Sequence, residues 1–216
     1  GRDADLVIDA GWGVVDWPME ALFTDRDKPL WLAITHAHCD HISQHGRFHD
    51  RRFGHRDALD IVRNPTQENT NAQPFAPQLK LIARGYEYLD FDAKAYGLGF
   101  RPSDLTDVVG EGDQIDLGDV VLDVIETPGH SPDSLTFIDR QRRWMFTGDV
   151  LMNGYIVDVL SHSNKKDILQ SHQRLIAQEF DHIFGGHQAP MNRSKAEQVV
   201  ARYIEHKATE GISLVS

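Results

Sequence analysis

Cysteine is nearly absent from this chain: Cys39 stands alone in 216 residues, so no disulfide can staple the fold from within. No apolar run approaches the ~20 residues that a bilayer-spanning helix needs, and no low-complexity tract or repeat breaks the sequence. Positive charge is also scarce, with 22 Lys and Arg against 33 Asp and Glu, a formal net charge of −11. Such a surface repels phosphate backbones over most of its area, which counts against nucleic acid as the main partner. What remains is a soluble domain of ordinary size, 40% apolar, expected in the cytoplasm and acting on a small molecule. No oligomerisation signal is legible.

Histidine, by contrast, is plentiful, with 12 residues, and several cluster. His36-Ala37-His38-Cys39-Asp40-His41 follows directly on the apolar run Leu30-Trp31-Leu32-Ala33-Ile34-Thr35. On extended backbone, side chains i and i+2 point the same way, so His36 and His38 can reach one ion together. Asp40 and His41 lie just past the strand end, where the chain turns, and can face a second ion. Imidazoles and a carboxylate at a strand terminus are donors that zinc selects. In the same register Cys39 points away from the two histidines and reads as a bystander.

Three further phrases share one pattern. Thr127-Pro128-Gly129-His130, Phe146-Thr147-Gly148-Asp149 and Phe184-Gly185-Gly186-His187 each place one ligand-type side chain at a strand exit, beside glycine. Around them, Leu6-Val7-Ile8 reads as a buried strand running into a Gly11-Trp12-Gly13 turn. Residues 30–35 form a second strand. Helices are expected over 16–23, from 42 towards 48, and over 57–62 before Asn64-Pro65. Residues 64–102 lose periodicity, as a lid, a binding loop or a packed helix pair would. Strands are expected at 114–117, 120–125, 135–138, 144–146 and 182–184. Helices follow at 167–180 and at 194–206, the latter with Ser194 and Glu197 as a capping box.

Taken together, these residues resemble the metallo-β-lactamase-fold hydrolase superfamily, from Asp5 to about His206. The resemblance implies an α+β fold, a four-layer αββα sandwich forming a single domain over residues 1–216, with metals at one edge between the sheets. It also implies a strand upstream of Leu6–Ile8, so the native N-terminal strand or strands are expected to be missing. Carried over residue by residue, His36, His38 and His130 correspond to ligands of a first zinc. Asp40, His41 and His187 correspond to those of a second, and Asp149 to the bridging carboxylate, with a hydroxide as the remaining bridge. Two Zn2+ are the implied cofactor, and other divalent transition metals suit the same donors. Ions ~3.5–4 Å apart would acidify a shared water and polarise the scissile carbonyl or phosphoryl oxygen. Asp40 is assigned a catalytic role as well, orienting the nucleophile or carrying a proton.

Asp149 separates the branches of that superfamily. Its true β-lactamases generally lack a bridging aspartate here, and His38 stands where flavodiiron oxygen reductases carry glutamate. Acidic charge disfavours the RNA-processing phosphodiesterases, and no basic C-terminal patch of the kind glyoxalase II uses is evident. Ester, thioester and lactone hydrolases remain. Gly148-Asp149-Val150-Leu151 through Asn153-Gly154-Tyr155, with Asp158 and Ser161 beyond, is similar to acyl-CoA thioesterase-like proteins, and residues 180–187 agree. N-acyl homoserine lactonases share the ligand set and place a tyrosine soon after the bridging aspartate. Tyr155 in that catalytic role would donate to a developing oxyanion; packing within the sheet is the alternative. A β-lactamase and a non-catalytic, zinc-stabilised binding domain are the remaining alternatives. Trp12, Trp17, Phe75 and Tyr96 suit either an acyl pocket or the core. His45, His49, His55, His162, His172, His182 and His206 are expected on the surface or in ordinary hydrogen bonds.

Overall fold

The first two expected strands form β1 (Asp5–Ile8) and β2 (Leu30–Ala33), paired in parallel with Val7 opposite Leu32. The computed structural model describes residues 1–12, 25, 27–73 and 103–212. These residues divide into two units, Asp3–Val108 and Gly1–Arg2 with Val109–Ser216. The expected helix at 16–23, the stretch 74–102 and the side chains of Trp17, Phe75 and Tyr96 lie outside the described residues.

In the first unit, β3 (Arg52–Gly54) and β4 (Asp107–Val108) complete a parallel sheet of order β1-β2-β3-β4. As an interior strand of a parallel sheet, β2 is covered on both faces, which is why it reads as a continuous apolar run. Leu32, Ile34, Ala37, Ile42, Phe48 and Val62 form much of the core beneath it. The chain leaves β2 extended, reaching φ −75° and ψ 155° at His38, then makes a single helical turn, α1 (Cys39–Ile42). The helix expected from 42 to 48 is therefore not formed. The Ser43 hydroxyl donates to the Cys39 carbonyl, and a separate 3-10 turn follows at His45–Arg47. Serine bonding back to the preceding turn, with Gly46 next, supplies the reason for the break. Beyond β3, α2 (Leu59–Arg63) ends at Asn64, whose φ −131° and ψ 59° are set by the following proline.

The second unit holds a six-stranded sheet. Its strands are β5 (Gln114–Asp116), β6 (Val121–Glu126), β7 (Leu135–Asp139), β8 (Trp144–Gly148), β9 (His182–Gly185) and β10 (Met191–Asn192). The order is β10-β9-β8-β7-β6-β5, and only the β8–β9 pair is parallel. A parallel pair needs a long crossover, and α3 (Lys165–Ile176) provides it. Its start is capped by Asn164, which accepts from the backbone of Lys166 and Asp167. The last helix, α4 (Arg193–Thr209), buries Ala196, Val199, Val200, Tyr203 and Lys207 on one face. Its cap is Asn192, accepting from Lys195 N at 3.0 Å, not the expected Ser194. Glu197 instead faces Arg193 at 3.4 Å. Asparagine caps as well as serine, and pairing of Asn192 with His182 fixes it at the strand end, two residues before Ser194. Among the described residues no helix is long and apolar enough to cross a membrane.

Candidate metal centre

Of the seven expected ligands, four lie in the first unit and three in the second. In the first, His36, His38 and His41 are all buried, with relative exposures of 1, 7 and 2%. The extended backbone after β2 does bring the i, i+2 pair together: His36 Nε2 and His38 Nδ1 are 3.0 Å apart. The α1 turn folds His41 back so that its ring lies 4.0 Å from that of His36, centroid to centroid. Asp40, partly exposed, sits 3.8 Å from His41 Nε2. Cys39 is buried on the same turn, and burial, reinforced by the Asp40 charge, pushes its thiol up to about 12. It carries no thiolate at neutral pH.

A residue that the sequence reading passed over organises this half. Asp9, at the exit of β1, accepts the Thr35 amide at 2.7 Å, the Thr35 hydroxyl at 2.8 Å and a hydrogen bond from His41 Nδ1 at 2.7 Å. Because Thr35 donates its single O–H to Asp9, its oxygen can only accept from His36 Nδ1, 3.0 Å away. By accepting from His41 directly and from Thr35, which in turn accepts from His36, one carboxylate keeps the ring proton of both histidines on Nδ1 and leaves each Nε2 with a lone pair. Asp9 holds φ +64°, a left-handed conformation that aspartate tolerates better than most residues. The available signal was a carboxylate at a strand exit with glycine close by, the pattern already seen at Asp149.

In the second unit the three remaining ligands come from three strand exits, after β6, β8 and β9. His130 Nε2 lies 3.7 Å and His187 Nε2 3.4 Å from the same oxygen of Asp149, Oδ2. His130 is 2% and Asp149 6% exposed, whereas His187 is exposed. Here too the tautomer is set: His130 Nδ1 lies 2.9 Å from the Val157 carbonyl, which can only accept. The Ser163 hydroxyl donates to the His130 carbonyl at 2.7 Å. Gly129 adopts φ +136°, and a Cβ there would come within 2.4 Å of the Ile168 amide nitrogen. Only glycine lets the turn that carries His130 lie so close to α3.

Histidines that hold metals commonly give their second ring nitrogen to a carboxylate, carbonyl or hydroxyl, which orients the ring and raises its basicity. His36, His41 and His130 all meet that test, and the two sets, five imidazoles and two carboxylates, suit divalent transition metals. His/Asp clusters of this kind could hold metal ions.

The other histidines divide as expected. His45 and His172 are buried against backbone carbonyls of Ile42, Val62 and Val150. Tyr155 is 67% exposed, so the alternative of packing within the sheet does not hold. Trp12 is half-buried.

The chain belongs to the metallo-beta-lactamase superfamily, whose profile its residues 1–187 match. It is 29% identical over 187 residues to acyl-coenzyme A thioesterase MBLAC2 of Homo sapiens, covering 82% of this chain and 64% of that protein. The Gallus gallus protein of the same name is 32% identical over 184 residues, with the same coverage. The chain therefore spans less than two thirds of the length of these relatives. The crystal structure of metallo-beta-lactamase family protein TTHA1429 from Thermus thermophilus matches with a TM-score of 0.68 at 20% identity, covering 96% of this chain and 72% of that one. The α+β fold is that of the superfamily.

Proposed function

We propose that the chain is a metal-dependent hydrolase that cleaves a thioester of the acyl-coenzyme A kind. In this reading His36, His38 and His130 would hold one Zn2+, Asp40, His41 and His187 would hold a second, and Asp149 would serve both. The observation that carries it is the common tautomer of His36, His41 and His130, each held at Nδ1 and each offering Nε2. Bound there, divalent ions supply polarisation of a carbonyl and acidification of water. Asp40, whose side chain is 17% exposed, is the carboxylate placed to orient a water or take its proton. Its solvent contact gives that proton an exit. In the lactone reading below, Tyr155 would be the donor to a developing oxyanion.

The thioester assignment draws on the relatives named acyl-coenzyme A thioesterase and on the segment from Gly148 to Tyr155. A second reading, N-acyl homoserine lactone hydrolysis, is favoured by one observation, the exposure of Tyr155. Rates on a long-chain acyl-CoA and on an acyl homoserine lactone separate the two. Faster thiol release from the acyl-CoA is expected, and preference for the lactone overturns the thioester assignment.

A further inference from the structure

A cleft of about 290 Å³ opens in the second unit between the loop after β8 and α4, at the margin of the helix's buried face. Gly154, Tyr155 and Ile156 form one wall, and Val199, Arg202 and His206 line the helix side. Spacings of three and four residues put the helix groups on one stripe. The walls are apolar, but the charges are unevenly settled. Lys207, at the base, is committed to Asp158 at 2.6 Å and Glu210 at 2.8 Å. His206 faces Glu210 at 3.2 Å. Arg202 has no carboxylate partner among the described residues; its one hydrogen bond is a long one, 3.4 Å, to the Gln198 carbonyl. Across the cleft stands the ring of Tyr155, 67% exposed.

The loop that forms this wall is also tied to the candidate metal ligands. Asn153 Nδ2 donates to the Ala189 carbonyl at 3.3 Å, and Gly154 lies against Gln188, the neighbour of His187. Three residues further on, Val157 holds His130. The cleft wall and two of the candidate ligands are thus linked through one short stretch of the second unit.

We infer that the cleft binds the nucleotide end of an acyl-CoA, the adenine against Tyr155 and a phosphate on Arg202. This inference rests on the thioester reading above. An exposed aromatic face suits a flat base, and a guanidinium without a carboxylate partner suits a phosphate, which it can grip with two parallel hydrogen bonds. An acyl chain offers nothing for Arg202 to pair with. The volume also decides: ligand pockets run to roughly 300–1,000 Å³, so the cleft takes one end of an acyl-CoA and not the whole molecule.

The test uses the zinc-loaded protein and its Arg202→Ala and Arg202→Lys variants, each checked for an unchanged melting temperature. Binding of adenosine 3′,5′-bisphosphate is measured by calorimetry, and kcat/KM is compared for an acyl-CoA and the matching acyl-pantetheine, which lacks the nucleotide. Arg202→Ala is expected to weaken bisphosphate binding about tenfold and to lower the preference for acyl-CoA over acyl-pantetheine by a similar factor, with Arg202→Lys in between. Absence of bisphosphate binding, or an equal effect of Arg202→Ala on both substrates, overturns the inference. So does a change in acyl-chain-length preference in place of nucleotide dependence, which would make the cleft an acyl site. Arg202-dependent bisphosphate binding without any thioester turnover would keep the cleft and sink the thioester reading. Turnover that is indifferent to Arg202 would do the reverse.

Discussion

Asp9 Oδ2 lies 2.7 Å from His41 Nδ1, and the same oxygen accepts the Thr35 hydroxyl that receives His36 Nδ1. One carboxylate at a strand exit therefore sets the tautomer of two candidate ligands. Removing it frees both rings to turn and to protonate at the wrong nitrogen.

Asp9→Ala is accordingly expected to lower zinc affinity and hydrolytic rate ~10–100-fold while the far-ultraviolet circular dichroism stays native. Metal titration with a competing chelator reads the first quantity. Wild-type affinity in a folded variant would show that Asp9 does not position the ligands.

His130→Ala and Asp149→Ala should lower metal content and activity together, because each removes a donor from the same set. Elemental analysis of the purified variants, paired with a thioester assay, checks this. Full activity in either variant would refute the site assignment.

Behind His130, Asp158 is fully buried and carries a 2.6 Å ion pair to Lys207, which is 3% exposed, and a 2.9 Å hydrogen bond from Tyr203. Burial opposes the Lys207 ammonium, but bonding to Asp158 and Glu210 outweighs it and holds its pKa above the ordinary value. Lys207→Met strands a buried carboxylate and should destabilise the fold by about 3–5 kcal/mol. Adding Asp158→Asn should recover part of that loss in urea denaturation. A single variant as stable as wild type would show that the pair contributes nothing.

His172 gives a pH dependence of known sign. Its Nε2 donates to the Val150 carbonyl at 2.6 Å, its Nδ1 has no hydrogen-bond partner, and burial pushes its pKa down to about 4. Below the ordinary imidazole value the unfolded chain takes up a proton that the folded one refuses. Stability therefore falls as the pH drops from about 6.5 to about 4, by up to about 3 kcal/mol, and this group has no effect above that window. Unfolding free energies at pH 4.5 and 7 should differ less in His172→Gln, which keeps a donor but does not titrate. An equal difference would mean that His172 is not the group responsible.

The positions of the candidate ligands were legible because most of them sit where an apolar run ends beside glycine or in an i, i+2 pair. His36, His38, His130, Asp149 and His187 all follow strands that burial makes conspicuous. Strands β3, β4 and β10 were not legible. They are two or three residues long and include Arg52, Asp107 and Asn192, so neither alternation nor apolar content marks them. Asp9 escaped for another reason: its partners are 26 and 32 residues away, and only the folded sheet brings them together. The Asn192 cap was hidden by the more familiar Ser194-to-Glu197 spacing three residues apart.

The two candidate ligand sets are proposed to hold a pair of ions with which the protein hydrolyses an acyl thioester. The most direct test is elemental analysis of the purified protein followed by thiol release from a long-chain acyl-CoA, before and after chelation. Two equivalents of zinc, turnover that is lost with the metal, and recovery on adding zinc back are the predicted result. Two equivalents of zinc with no turnover of any ester, thioester or lactone would contradict it.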